Sequence, residues 1–162
     1  MVLWFVLLGI TVGLRSMTAM AVLCWFAWLK LLPQSGWASW TGYLVTAIVF
    51  TVCALGEYVA DTLPNTPSRK APVGFIARLI SGAVCGAALG ATIQPGSAGA
   101  SPASSLIGGL LAGVVGAVLG TLGGYQFRAR LVRASGGKDL PIALPEDAIA
   151  IGGAILIVSR FA

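Results

Sequence analysis

Apolar residues run with few interruptions from Val2 to Leu32, Trp40 to Ala60, Val73 to Ile93 and Ser105 to Phe127. A transmembrane helix needs about 20 such residues, and each of these runs is long enough. A fifth run, Leu140–Val158, is interrupted by Pro145-Glu146-Asp147. Between the runs lie breaker-rich connectors: "PQSG" at 33–36, "LPNTPSRKAP" at 63–72, "QPGSAGASPASS" at 94–105 and "RASGGKDLP" at 133–141. The pattern predicts an all-α, polytopic transmembrane helical bundle of about five spans. It forms a single domain over residues 1–162, with a possible break in the first or last helix.

Composition supports the membrane assignment. Of 162 residues, 57% are apolar and only 9% charged, against roughly 25% charged in soluble proteins. Mean hydropathy is +0.93. The net charge of +5 is too sparse to build a phosphate-tracking face, so no nucleic acid is expected as a partner. Instead the charges orient the bundle. Arg69 and Lys70 lie in the second connector, and Arg128, Arg130, Arg133 and Lys138 lie at the fourth. The positive-inside rule places both connectors in the cytoplasm. With five spans this gives an inner-membrane protein with a cytoplasmic N-terminus and an outside C-terminus, Lys30 and Arg160 being the exceptions. No Lys or Arg precedes the first apolar run, which also outlasts a signal-peptide core, so a cleavable leader is not expected. Cys24, Cys53 and Cys85 fall in apolar segments with no CxxC, and the chain has no histidine. They read as small core residues, and neither a metal nor a cofactor is expected.

A weak internal repeat is visible. "LGEY" at 55–58 matches "LGGY" at 122–125, and Arg15 with "AVLC" at 21–24 matches Arg78 with "AVC" at 83–85. This outlines repeat 1 at about 9–66, repeat 2 at about 71–133 and an extra C-terminal helix at about 142–160. Two spans per repeat relate the halves by an axis along the membrane normal. The repeat also points to "GITVG" at 9–13 as a kink or break.

An arginine at mid-helix costs roughly 2.5–3.5 kcal/mol on insertion scales and almost always faces a bundle interior or a wet cavity. Arg15 and Arg78 therefore need partners, either as structural ion pairs or as a cationic element of a solute path. Glu57 and Asp61, spaced i, i+4, share one face of the second helix. They are the favoured partners of Arg15, ahead of Glu146 and Asp147. Those two acids, after Pro145, read as an ordinary helix start or as a recessed acidic turn. Substrate- or ion-binding candidates are thus Arg15, Glu57, Asp61, Arg78, Glu146 and Asp147, with no catalytic residue. Gly82, Gly86 and Gly90 are spaced by four, as are Gly109 with Gly113, and Gly116 with Gly120 and Gly124. Such spacing predicts close helix packing, within the chain or in a homo-oligomer. Trp4, Trp25, Trp28, Trp37 and Trp40 favour the first two helices, as an aromatic belt would.

"GLR" at 13–15, "EYVADTLP" at 57–64 and "LPEDAIAI" at 144–151 together resemble a small bacterial membrane family, the domain of unknown function numbered 4126. Gly13, Leu14, Arg15, Glu57, Asp61, Pro64, Glu146 and Asp147 match its landmarks. The resemblance implies that the three charged motifs form one constellation, and it supplies no activity. The leading expectation is a small transporter or channel for an ion or small solute. The alternative is a non-catalytic membrane scaffold or lipid-binding module held by structural ion pairs. An enzyme has the least support, for want of a nucleophile–base pair.

Overall fold

The computed structural model describes residues 1–34, 36–62, 72–93, 101–134 and 140–162, the side chains at 61, 62, 102, 134 and 140–143 excepted. It is all-helical among these residues: α1 (Val2–Leu14), α2 (Ser16–Trp28), a 3₁₀ helix (Gly36–Gly42), α3 (Leu44–Thr62), α4 (Pro72–Ala91), α5 (Pro102–Ala134) and α6 (Leu140–Val158). Two segments, Pro72–Ala91 and Ala103–Arg133, are long and apolar enough to cross a membrane. A third joins Gly36–Gly42 to Leu44–Ala60 with a bend of 68°. The sequence pattern located α4 to within two residues and α6 at both ends, while α5 is longer than expected.

The first apolar run departs from expectation. It is two helices of 13 residues each, each about 20 Å long and short of a 30 Å hydrocarbon core. The break falls at Arg15, whose backbone is extended at φ −143° and ψ 100°, and not within Gly9–Gly13.

The chain reverses at this break. Along α1, Gly9 meets Gly116 and Gly13 meets Gly120, so α1 runs parallel to α5. Gly82 meets Gly113 and Gly90 meets Ser105, so α4 runs antiparallel to both. Glu57, paired with Arg78 of α4, holds Ser16 at the start of α2, and further along Met20 meets Cys85. Hence α2 climbs with α4, against the direction of α1. Met17 bonds Glu57 and Trp25 bonds Thr51, so α3 then returns antiparallel to α2. Last, α6 runs antiparallel to α1, with Asp147 at Arg15 and Phe161 stacked on Phe5 at 5.8 Å.

The reversal leaves both ends of the described chain at one end of the bundle. Phe5 and Phe161 share one end of the bundle, and Arg160 lies 5.7 Å from the Trp4 ring. All five tryptophans belong to helix segments in this half, whereas Arg128, Arg130 and Arg133 cluster at the opposite, basic end.

Glycine makes the tight packing possible. A Cβ on Gly116 would sit 2.8 Å from Gly9 Cα, one on Gly13 2.8 Å from Gly120 Cα, and one on Gly82 2.8 Å from the Gly113 carbonyl oxygen. Gly86 and Gly109 face each other in the same way, and Gly90 faces Ser105. Thus α5 carries two glycine faces, one for α4 and one for α1. Gly124 lies beyond both, in a cleft between α5 and α6.

Candidate functional site: the charged turn at Arg15

An unsupported helix break inside an apolar bundle strands the carbonyls ending α1 and the N–H groups starting α2. Both sets find partners here. The Thr121 hydroxyl donates to the Gly13 carbonyl at 3.2 Å. At the other side, the Glu57 carboxylate accepts from the Ser16 N–H at 3.3 Å, the Ser16 hydroxyl at 3.2 Å and the Met17 N–H at 3.1 Å. Glu57 is thus an N-cap delivered from another helix, and its charge complements the positive end of the α2 dipole.

The arginine at the break is the largest fully buried side chain among the described residues, at 1% exposure. Its Nε donates to Asp147 Oδ1 at 2.7 Å. Its guanidinium also lies 4.8 Å from the Tyr58 ring centroid, a cation–π distance. Tyr58 is held in turn by a 2.8 Å hydrogen bond with the Thr18 hydroxyl. Two further pairs flank this centre. Arg78 Nη2 lies 3.5 Å from Glu57 Oε1, and Arg128 Nη1 lies 3.3 Å from Glu146 Oε2.

Among the described side chains, Asp147 rather than Glu57 is therefore the acid that the Arg15 Nε meets. The reason is topological: α6 runs antiparallel to α1 and delivers Asp147 to the turn, while the Glu57 carboxylate is drawn to the N-terminus of α2. The Asp61 side chain lies outside the described residues. Nor do Glu146 and Asp147 open a helix, because α6 begins at Leu140 and contains Pro145.

The site is recessed. Asp147 lies seven residues into α6, Arg78 six into α4, and Glu57 five from the end of α3, depths of about 8–10 Å from the basic end. Three arginines and three carboxylates thus converge there. Asp147 is the most accessible of the paired groups, with 23% of its side chain exposed. Chemically, this is an ion-pair network in which one carboxylate is partly exposed.

Sequence reasoning brought Arg15, Glu57, Arg78, Glu146 and Asp147 forward as candidates, and the structure gathers them. It missed Ser16, Tyr58 and Thr121, and it took Arg128 only as an orienting charge. Ser16 carried a signal, since serine favours helix starts. The cysteines stand apart from this centre: Cys24 and Cys85 are buried and Cys53 is exposed, all as free thiols. Compared with known protein families, curated proteins and solved structures, the chain matches none.

Proposed function

We propose that the chain is a small membrane transporter or channel that handles an ion or small solute at the Arg15 turn. In this reading α3, α4, α5 and α6 cross the bilayer. The α1–α2 hairpin enters from the tryptophan end and turns back about two-thirds of the way through. The observation that carries the proposal is the break itself. Non-helical backbone at membrane depth occurs where it is buried in protein or lines a cavity, and broken helices with charged ends form transporter binding sites. Here the break holds a buried arginine against a carboxylate that is partly open.

One observation favours the alternative, a non-catalytic scaffold: each of Arg15, Arg78 and Arg128 is paired with an acid. Reconstitution separates the two. Liposomes containing the purified protein and a trapped pH indicator, under a potassium diffusion potential, should show proton flux above empty vesicles. Asp147→Asn should change that flux severalfold. Sodium, potassium and chloride fluxes are measured in parallel. If all four ions match empty vesicles for both proteins, the scaffold reading prevails.

The basic end should be cytoplasmic, which puts both termini outside in a multi-pass inner-membrane protein. Single cysteines at positions 2 and 161, in a Cys-free background, should then react with an impermeant maleimide from outside, and one at 130 should not. Labelling at 161 with protection at 2 would refute the reversal at Arg15. Membership in the bacterial family numbered 4126 is part of the same proposal. Its support is that residues from all three motifs meet at one end of the bundle. Assembly into homo-oligomers also stands as a proposal.

A further inference from the structure

Helices α5 and α6 touch only lightly, and near the basic end they leave a cleft of about 350 Å³ beneath Leu14. Its walls are apolar, built by Leu14, Phe127, Leu131 and Ile149. Phe127 and Ile149 are 64% and 61% exposed, so the cleft opens sideways, out of the bundle. At its basic rim sits the Arg128–Glu146 pair, and the exposed Arg130 and Arg133 follow toward the same end of α5 on its other faces. Among the described side chains, this end of α5 thus carries two arginines beyond the one paired with Glu146.

We propose that this cleft is a binding site for an anionic phospholipid of the leaflet at the basic end. One acyl chain lies along Phe127, Leu131 and Ile149, and the phosphate meets Arg128, with Arg130 and Arg133 adding to the positive potential of the same leaflet surface. The inference goes beyond the transport reading and requires only that the bundle sit in a membrane. Shape and charge both select the occupant. A helix 10–12 Å across with a 5.4 Å pitch takes about 500 Å³ per turn. A helix from a second copy would thus fill the cleft in less than one turn, whereas an acyl chain is narrow enough to run its length. An opening that faces hydrocarbon on one side and cations at its end fits an amphiphile with an anionic head, and basic pockets between transmembrane helices are known to hold such lipids.

The test uses the full-length protein, delipidated in detergent, and follows its melting temperature on titration with phosphatidylglycerol, phosphatidylcholine of the same acyl chains, or glycerol phosphate alone. Phosphatidylglycerol should raise the melting temperature saturably and at lower concentration than phosphatidylcholine. Glycerol phosphate should do nothing, which separates a lipid from a free phosphate ligand. Arg128→Gln should weaken the phosphatidylglycerol response about fivefold, the effect of roughly one arginine at a membrane surface. Ile149→Trp, which fills the cleft and leaves the ion pair intact, should abolish the response. If Arg128→Gln does not fold, Arg130→Gln with Arg133→Gln replaces it, and a weaker phosphatidylglycerol response is again expected. Equal responses to the two lipids, a response to glycerol phosphate alone, or an unchanged response in Ile149→Trp would each overturn the proposal. So would cross-linking of two copies through a cysteine at position 149 that phosphatidylglycerol does not suppress.

Discussion

Replacing Asp147 by alanine should destabilise the protein by up to about 3–5 kcal/mol, because it removes the carboxylate 2.7 Å from the Arg15 Nε in a nearly dry site. Arg15 is 1% exposed, so its charge cannot move to water without opening the turn between α1 and α2. Arg15→Ala should cost a similar amount, since it leaves Asp147 facing the emptied turn and removes the contact with Tyr58. The double variant should recover part of the loss, because the contact between the two charges can be lost only once. Thermal unfolding in a fixed detergent, followed by tryptophan fluorescence, supplies the four corners of the cycle. Strictly additive losses would show that the 2.7 Å contact carries no coupling. Glu57→Gln is a sharper probe of the turn. It keeps the shape and one acceptor for the Ser16 and Met17 N–H groups but removes the charge facing Arg78 and the α2 dipole. Its cost should fall below that of Asp147→Ala.

Gly116→Leu should prevent α1 from seating on α5, because the added side chain meets backbone rather than flexible side chains. Overpacking an ordinary core costs about 1–3 kcal/mol, where neighbouring side chains can give way. At Gly116 the obstacles are backbone atoms, with Gly9 Cα at 2.8 Å and Ile10 N at 2.9 Å from the added Cβ. The whole helix must therefore move, and it ends at the Arg15 turn. The loss should reach or exceed the top of that range and should also change the accessibility of position 147 to labelling. Gly123→Leu on the same helix is the control. Nothing lies within 4 Å of a Cβ there, so its melting temperature should stay within error of the wild type. Equal melting for the two variants would show that the α1–α5 contact does not hold the bundle together.

The contrast between these glycines shows how far the sequence could be read. Spacing by four flags Gly82, Gly86, Gly116 and Gly120, because a helix presents such residues on one face whatever lies opposite. Gly123 matches a repeat motif yet faces open space, and only the packing distinguishes it. Gly9 and Gly13 suggested a kink for the same reason. A run of small residues reads equally as weak helix or as close contact, and here they serve contact with α5. The break at Arg15 was hidden by the uniform apolarity on both sides of it. One signal was available in the length. Thirty-one residues from Val2 to Leu32 would make a helix of about 46 Å, well beyond a 30 Å core. The Arg15–Asp147 contact was not legible, because depth along a helix orders Glu57 and Asp147 only when the direction of each helix is known, and the reversal changes those directions.

The Arg15–Asp147 contact joins residues 132 positions apart, and this separation has a consequence for biosynthesis. At about 5–20 residues per second, the ribosome needs roughly 7–26 s after making Arg15 before Asp147 exists. Throughout that interval the α1–α2 hairpin has neither a full membrane-spanning length nor a counter-ion from α6. Glu57, 41 residues after Ser16, arrives much sooner and can secure the start of α2 while α4 to α6 are still in the ribosome. The hairpin must therefore wait at the membrane surface or in the care of the insertion machinery. It reaches its buried position only once the last helix is delivered, so the segment translated early is completed late.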